Sequence, residues 1–202
     1  MSWGYGDILR KRKNWSFGKT LVLLLVLAVL VALCAAILVN RYYPVRHIET
    51  IYKYAEEFDL EPELVFAVIH AESRFNEDAV SRAGASGLMQ IMEDTAYWLA
   101  PQAGMDDFKY SQVFDPEINI RLGTFYLSML YRRFGDMNVA LSAYNAGSGN
   151  VGRWLENPEY SNDGKTLDHI PFPETRKYVE RVDTNQRIYA VILRFVDILR
   201  NF

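Results

Sequence analysis

Cysteine is almost missing from this chain, since Cys34 is the only one among 202 residues. One cysteine cannot form an intramolecular disulfide, and a structural zinc site built on several cysteines is excluded. The three histidines, His47, His70 and His169, show no metal-ligand spacing. No Gly-x-Ser-x-Gly elbow is present either, which argues against a serine hydrolase of that type. We therefore expect no metal and no cofactor.

The chain also lacks a surplus of positive charge outside its first residues. Its net charge is -3, and residues 1–40 hold five Lys/Arg against one Asp/Glu. Residues 41–202 therefore hold 17 Lys/Arg against 24 Asp/Glu. An acidic domain of this kind is repelled by phosphate backbones, so nucleic acid is excluded as the main partner.

One long apolar run stands near the N-terminus. Leu21 to Val39 is nineteen residues without a polar side chain apart from the Cys34 thiol. As a helix this run is about 28 Å long, close to the thickness of a bilayer core. Basic residues precede it, so the positive-inside rule places the N-terminus in the cytoplasm. A cleaved signal peptide is the alternative, but its apolar stretch is normally shorter and ends in a small-residue site.

These features predict a single-pass membrane protein with its N-terminus in the cytoplasm. The expected order is a basic cytoplasmic segment over 1–20, a transmembrane anchor over 21–39, a tether over 40–46 and an extracytoplasmic domain over 47–202.

Helical patterns dominate the domain, so we expect a mainly α fold. Residues 76–91 carry Gly84 and Gly87 and indicate a loop with short strands, hence at most a minor sheet. A further polar loop covers 156–171. Helices are predicted at His47–Phe58, from Pro62 toward Glu72, from Asp115–Pro116 to about Phe134, from Asn138 to Gly147, and from about Glu174 to Arg200.

Glu72 is the most informative residue, because it ends the most apolar helix of the domain. Desolvation in such surroundings raises the pKa of a carboxyl and makes it a proton donor near neutral pH. The alternative is an ordinary glutamate at an exposed helix end, paired with Arg74 or Arg82. Periodicity alone leaves both interpretations open. Glu77 and Asp78 lie in a polar loop and are expected to be solvated.

The aromatic residues and one glycine pair permit two interpretations each. Trp98 and Trp154 are able to stack on sugar rings, although most aromatic residues at helical spacing belong to the core. Gly147-Ser148-Gly149 lacks the lysine of a phosphate loop, so we expect it to end one helix and begin the next.

Four motifs occur in order: Ala-Glu-Ser-Arg-Phe at 71–75, Gly-Ala-Ser-Gly-Leu-Met-Gln-Ile-Met at 84–92, Ala-Tyr-Asn-Ala-Gly at 143–147 and Glu-Thr-Arg-Lys-Tyr-Val at 174–179. Together they resemble the lytic transglycosylases of the soluble-lytic-transglycosylase type, relatives of goose-type lysozyme. The resemblance covers about residues 47–200. It implies a lysozyme-like helical domain with a small β-element lining a cleft.

The resemblance also implies an activity, cleavage of the β-1,4 bond between N-acetylmuramic acid and N-acetylglucosamine in peptidoglycan. Members of the family close the muramyl C6 hydroxyl onto C1 and leave 1,6-anhydro ends. Glu72 matches the single catalytic residue, acting as general acid and then as base. The substrate's own N-acetyl group assists at C1, so no second protein carboxylate is needed.

The remaining motif residues match positions that contact the substrate or the acid in the family. Ser73 helps to fix the helix end and Ser81 contacts the N-acetyl group, while Tyr178 hydrogen-bonds the catalytic carboxyl. For Glu174 the alternative is a first-turn residue that complements the helix dipole. The predicted substrate-binding set is Ser73, Ser81, Gln90, Met92, Tyr144, Asn145, Glu174 and Tyr178.

Three functions are therefore compared. The first is a membrane-anchored peptidoglycan lytic transglycosylase, and the second is a goose-type muramidase that uses water. The third is a non-catalytic peptidoglycan-binding scaffold of a secretion or spore-forming machine, since fold and motif do not prove turnover. The expected partners are glycan strands and the membrane, and no motif assigns a partner in the cell-wall machinery.

Overall fold

The structure is a computed structural model that describes residues 5–200, with side chains from residue 17 onward. It consists of two compact units, Met1–Pro44 and Val45–Phe202. The helices are α1 (Tyr5–Tyr42), α2 (Ile48–Glu57), α3 (Pro62–Glu72), α4 (Glu93–Leu99), α5 (Pro116–Phe134), α6 (Met137–Ala146), α7 (Ser148–Leu155) and α8 (Pro173–Arg200). Two short 3-10 helices span Pro101–Ala103 and Tyr110–Phe114.

The described part of the first unit is mainly helix α1. Within it, Phe17–Tyr42 is long enough and apolar enough to cross a membrane, and its apolar side chains are exposed. The predicted anchor over 21–39 lies inside this stretch. The basic residues predicted to lie on the cytoplasmic side fall mostly among positions whose side chains are outside the described residues.

The second unit is built around α3, whose side chains from Leu64 to Ile69 are at most 2% exposed. Such a helix is apolar on every side because neighbours surround it, and α8 is its main packing partner. A second apolar cluster joins α5, α6 and α7 around Val139, Ala143 and Trp154. Trp154 is thus a core residue, as its helical spacing suggested.

The predicted mainly α fold with a small β-element is confirmed. Among the described residues, β-structure is limited to two antiparallel bridges, Val80 with Ser86 and Ser86 with Ile91. The predicted start of α5 is also observed, since the Asp115 carboxylate accepts hydrogen bonds from the amides of Glu117 and Ile118 at 2.9 and 3.1 Å.

Helices α6 and α4 differ from the sequence expectation. Helix α6 begins at Met137 with Asp136 as its N-cap, one residue earlier than predicted. Helix α4 was not predicted, because seven residues are too few to show a helical period. It forms because Ala96 and Leu99, three residues apart, are both fully buried against the domain.

Candidate active site

Glu72 is the last residue of α3, and a strained turn follows it. The Ser73 hydroxyl donates to the Ile69 carbonyl at 3.2 Å, which closes the helix end. Arg74 and Phe75 then both adopt left-handed conformations, with φ of 53° and 63°. Each such residue costs about 1–3 kcal/mol, so the surrounding packing must hold the turn in place.

Phe75 supplies that packing. Its side chain is 2% exposed and lies against the rings of Phe66 and Tyr189, with centroid distances of 5.8 and 6.3 Å. Burial of an aromatic ring on two others offsets the backbone strain. The turn therefore directs the chain away from α3 immediately after Glu72, at a fixed place in the fold.

The surroundings of Glu72 make it a proton donor near neutral pH. Protein atoms enclose most of the carboxyl, although the residue keeps some accessible surface. This desolvation raises the pKa of Glu72 to about 7, against opposing contributions from the Tyr178 hydroxyl and the Arg181 charge. Among the described residues, neither Arg74 nor Arg82 forms an ion pair with Glu72.

Two tyrosines face this carboxyl. Burial raises the pKa of both Tyr144 and Tyr178 well above the usual range, and the nearby Glu72 charge raises both further. The Tyr178 hydroxyl is close enough to lower the pKa of Glu72, yet it makes no well-aligned hydrogen bond with any described residue. Its donor therefore remains available to the carboxyl or to a bound molecule.

The motif at 143–147 is tied to the motif at 174–179 and to the glycine-rich motif. Thr175 donates from its hydroxyl to Asn145 Oδ1 at 2.8 Å, and Tyr144 donates to the Met89 carbonyl at 2.9 Å. Since Glu72 acts on Tyr144 and Tyr178, these contacts bring all four motifs together. Glu174 is exposed in the first turn of α8, where a carboxylate complements the helix dipole.

The glycine-rich loop at 79–91 is held by hydrogen bonds from within and from outside. Gln90 donates from Nε2 to the carbonyls of Ala79 and Gly87, both at 3.0 Å, and has a left-handed φ of 50°. Ser81 Oγ accepts from the Ala85 amide at 3.0 Å. Tyr110 places its hydroxyl 3.0 Å from the carbonyls of Gly84 and Ile91.

Asn119 on α5 is the main support of this loop and was not predicted from the sequence. The side chain is 1% exposed, accepts from the Met89 amide at 2.7 Å, and donates to the carbonyls of Ser86 and Val113 at 3.1 and 2.8 Å. A Cβ on Gly87 would lie 2.2 Å from Asn119 Nδ2. The signal in the sequence is a polar residue on the buried face of an amphipathic helix.

The predicted site residues thus differ in their surroundings. Glu72, Tyr144 and Tyr178 are close together, and Asn145 is fixed beside them by Thr175. Ser73, Ser81 and Gln90 use their described hydrogen bonds to shape the backbone. Met92 caps the start of α4 and is 43% exposed. Arg181, which acts on Glu72, was not predicted and lies one turn after Tyr178.

No group of three or more His, Cys, Asp or Glu side chains suited to a metal is found in the part of the chain that the structure describes. A cavity of about 650 Å³ is lined by residues such as Glu56, Asp59, Glu61 and Asp183. It includes none of the predicted site residues.

Comparison with known proteins assigns the family. Residues 49–166 match the family model described as the transglycosylase SLT domain, which is more than half of the chain. The chain therefore belongs to the transglycosylase SLT domain family.

Its relatives include soluble and membrane-bound enzymes. The soluble lytic murein transglycosylase of Salmonella typhimurium is 37% identical over 143 residues, which cover 69% of this chain and 22% of that protein. The membrane-bound lytic murein transglycosylase C of Edwardsiella ictaluri is 30% identical over 180 residues, covering 73% of this chain and 47% of that protein. The chain thus spans between about a fifth and a half of these relatives.

Solved structures of the same family share the fold. An inactive glutamate-to-glutamine mutant of the lytic transglycosylase Slt from Pseudomonas aeruginosa is 34% identical, with a TM-score of 0.69 over 77% of this chain and 26% of that chain. The 70 kDa soluble lytic transglycosylase of Escherichia coli is 31% identical, with a TM-score of 0.67 and the same coverage.

Proposed function

We propose that this protein is a membrane-anchored peptidoglycan lytic transglycosylase. The observation that carries the proposal is the Glu72 carboxyl, whose pKa is about 7 and which lies beside the buried Tyr178 and the partly buried Tyr144 in a transglycosylase SLT fold. A general acid functions best when its pKa is near the working pH. The relatives are named lytic murein transglycosylases, and the inactive Slt mutant has a glutamate replaced by glutamine.

The first step is departure of the leaving sugar. The neutral Glu72 carboxyl donates its proton to the β-1,4 glycosidic oxygen of N-acetylmuramic acid, and the bond from that oxygen to C1 breaks. The substrate N-acetyl oxygen supports the positive charge that develops at C1. Tyr178 and Arg181 then stabilise the carboxylate that Glu72 becomes, because both favour its charged form.

The second step regenerates the acid without water. The Glu72 carboxylate takes the proton from the C6 hydroxyl, and that oxygen bonds to C1 to form the 1,6-anhydro ring. The proton lost in the first step is thereby recovered. One carboxyl suffices for both steps, in contrast to glycosidases that need two.

The other predicted residues position the sugar. In this proposal Asn145 and Tyr144 contact the substrate beside the acid, Ser81 contacts the N-acetyl group, and Met92 and Gln90 line the cleft floor. Thr175 holds Asn145 Oδ1, which leaves the amide N–H groups of Asn145 for a ligand. Glu174, exposed in the first turn of α8, contacts the glycan further from the acid.

The N-terminal helix is the proposed anchor. Phe17–Tyr42 is a candidate membrane span, and some relatives are named membrane-bound. With the basic residues inside, the protein is a single-pass protein of the bacterial cytoplasmic membrane and residues 47–202 face the peptidoglycan. A tether over 40–46 confines the domain to glycan strands close to the membrane.

The test is mass spectrometry of the products that the detergent-solubilised full chain releases from purified peptidoglycan. We expect muropeptides with non-reducible 1,6-anhydro ends, one water lighter than hydrolysis products. Glu72→Gln should lower the rate by roughly 10²–10⁴-fold. Asp78→Asn is the matched control, since it removes an exposed carboxylate from the next loop.

Other results would favour the alternatives. Reducible muramic-acid ends would identify a goose-type muramidase that uses water. Wall binding without products would identify a scaffold. An unchanged rate for Glu72→Gln would contradict the assignment of the acid.

A further inference from the structure

Trp98 is an exposed tryptophan on a rigid support. It lies near the end of α4 and is 54% exposed. The helix is held from below by the fully buried Ala96 and Leu99. Gln102 donates to the Trp98 carbonyl at 2.8 Å and fixes the end of the helix. Tryptophan is enriched at binding interfaces, because it combines a large apolar ring with a polar N–H, so this exposed indole is a candidate ligand contact.

The ring of Trp98 is connected to the candidate active site by two other rings. Trp98 meets Tyr126 edge to face, with centroids 6.2 Å apart and planes at 87°. Tyr126 in turn lies 5.3 Å from Tyr144, whose hydroxyl binds Met89 and whose pKa responds to the Glu72 charge. Trp98 is therefore two ring contacts away from the tyrosine beside the acid.

We infer that Trp98 is a sugar-stacking platform that binds a glycan ring beyond the pair of sugars at the bond to be cut. At least one face of its indole is not covered by Tyr126, because their contact is at right angles. The C–H face of a hexosamine ring is apolar and flat enough to cover an indole, while its hydroxyls stay in water. The inference depends on the proposed function, since it assigns a further subsite to the same cleft.

The platform acts in binding and not in the bond-breaking steps. Among the described residues, no contact joins Trp98 to the Glu72 carboxyl. Its binding energy should therefore be the same in the ground state and in the transition state. Uniform binding of this kind changes KM and leaves kcat unaltered. It should also act only on glycans long enough to reach it.

Tyr97 provides a matched control. It neighbours Trp98 on α4 and is 49% exposed, but its ring contacts Phe108, with centroids 5.8 Å apart. Successive helical residues point about 100° apart, so Tyr97 lies on a different side of α4. Loss of Tyr97 removes a similar aromatic area from the same short helix.

The experiment is calorimetric titration of the full chain in detergent, in the Glu72→Gln background, with glycan fragments of two and of six or more sugars. Trp98→Ala should weaken binding of the long fragment by about tenfold and leave the disaccharide unaffected. Trp98→Phe should restore part of the loss. Tyr97→Ala should change neither titration by more than about twofold.

Four results would overturn the inference. An equal loss for both fragments would mean that Trp98 supports the fold of α4, and an equal effect of Tyr97→Ala would mean that α4 is generally disturbed. If Trp98→Ala bound the long fragment as tightly as its parent, the stacking role of Trp98 would be contradicted and the proposed function would be unaffected. Failure of Glu72→Gln to bind any glycan would contradict both this inference and the proposed function.

Discussion

The two sides of the candidate active site satisfy their polar groups differently. In the glycine-rich loop at 79–91, Asn119, Gln90 and Tyr110 fill backbone donors and acceptors with well-formed hydrogen bonds. At the acid end, which we define as Glu72, Tyr144 and Tyr178, the Tyr178 hydroxyl lacks such a bond and the Glu72 pKa is raised to about 7. Polar groups whose hydrogen bonds are all formed hold the backbone in one conformation, whereas a polar group without a hydrogen-bond partner remains able to bind or react.

From this difference we expect substitutions in the glycine-rich loop and at the acid end to have opposite effects. Substitutions in the loop should lower stability, and any loss of activity should follow from that. Substitutions at the acid end should alter activity or its pH dependence while stability is kept or gained. The four predictions below test this difference in order of decreasing effect.

Asn119→Leu should have the largest effect on stability. It keeps the side-chain volume but leaves the Met89 amide and the Val113 carbonyl without a partner, while the Ser86 carbonyl keeps only its bond from the Ile91 amide. Each orphaned group costs about 1–3 kcal/mol, so we expect a loss of roughly 4 kcal/mol in chemical denaturation. Thr124→Val is the control at another buried polar residue of α5, since it removes only a weak O–H to Met89 sulfur contact of 3.8 Å. Equal losses would contradict the supporting role of Asn119.

Glu72→Gln should stabilise the protein at alkaline pH. The pKa of Glu72 in the folded protein, about 7, lies above the ordinary 4.5. The contribution of the neutral carboxyl to the free energy of unfolding is therefore complete below pH 4.5 and is lost as the pH rises through 7. At 1.36 kcal/mol per unit, the variant should exceed the wild type by about 3 kcal/mol at pH 8.5. At pH 4 the two should be equal. Denaturation curves at both pH values test this, and a wild type that is the more stable at pH 8.5 would refute it.

Gly87→Ala should lower the free energy of unfolding by more than Gly84→Ala does. Both glycines have positive φ, 78° and 90°, so each substitution has a strain of about 1–2 kcal/mol. Only at Gly87 would the new Cβ meet Asn119 Nδ2 at 2.2 Å and the Val113 carbonyl at 2.7 Å, whereas nothing lies within 4 Å of it at Gly84. We expect a difference of about 2 kcal/mol in thermal or chemical unfolding. Equal costs would mean that the loop moves freely against α5.

Tyr178→Phe should have the smallest effect of the four substitutions. The effect should be seen in the dependence of kcat/KM on pH. The hydroxyl lowers the pKa of Glu72, so its removal should raise that pKa. The alkaline limb of the kcat/KM profile should then move to higher pH by about one unit. Stability should change little, because the hydroxyl forms no well-aligned bond with the described residues. Tyr131→Phe, at an exposed tyrosine, should leave the profile in place. A downward shift would show that Tyr178 favours the neutral acid.

Sequence patterns predicted those parts of the site that depend on neighbouring residues. The apolar run of α3 and the four motifs each lie in a short stretch of sequence, and Glu72 was predicted as the acid from them. The Asp115 cap is another local feature. Helix α4 escaped prediction because its stability comes from two buried residues and not from a long period. The predicted roles of Ser81, Gln90 and Met92 remain predictions, although the structure shows which hydrogen bonds Ser81 and Gln90 make.

The supports of the site could not be inferred from local patterns. Asn119 resembles any polar residue on a helix until the loop at 79–91 is packed against it. The left-handed pair at Arg74 and Phe75 is tolerated only because Phe66 and Tyr189 enclose the Phe75 ring. Neither residue carries the glycine signal that usually marks such a turn.

By itself the sequence determined the helical class of the domain, the apolar N-terminal segment and the carboxyl at the end of the most buried helix. These follow from composition and from a 3.6-residue period, which need no knowledge of distant contacts. Only the tertiary structure decided how that carboxyl behaves. Its desolvation and the opposing effects of Tyr178 and Arg181 arise where α8 packs beside α3, and pKa values depend on distances through space.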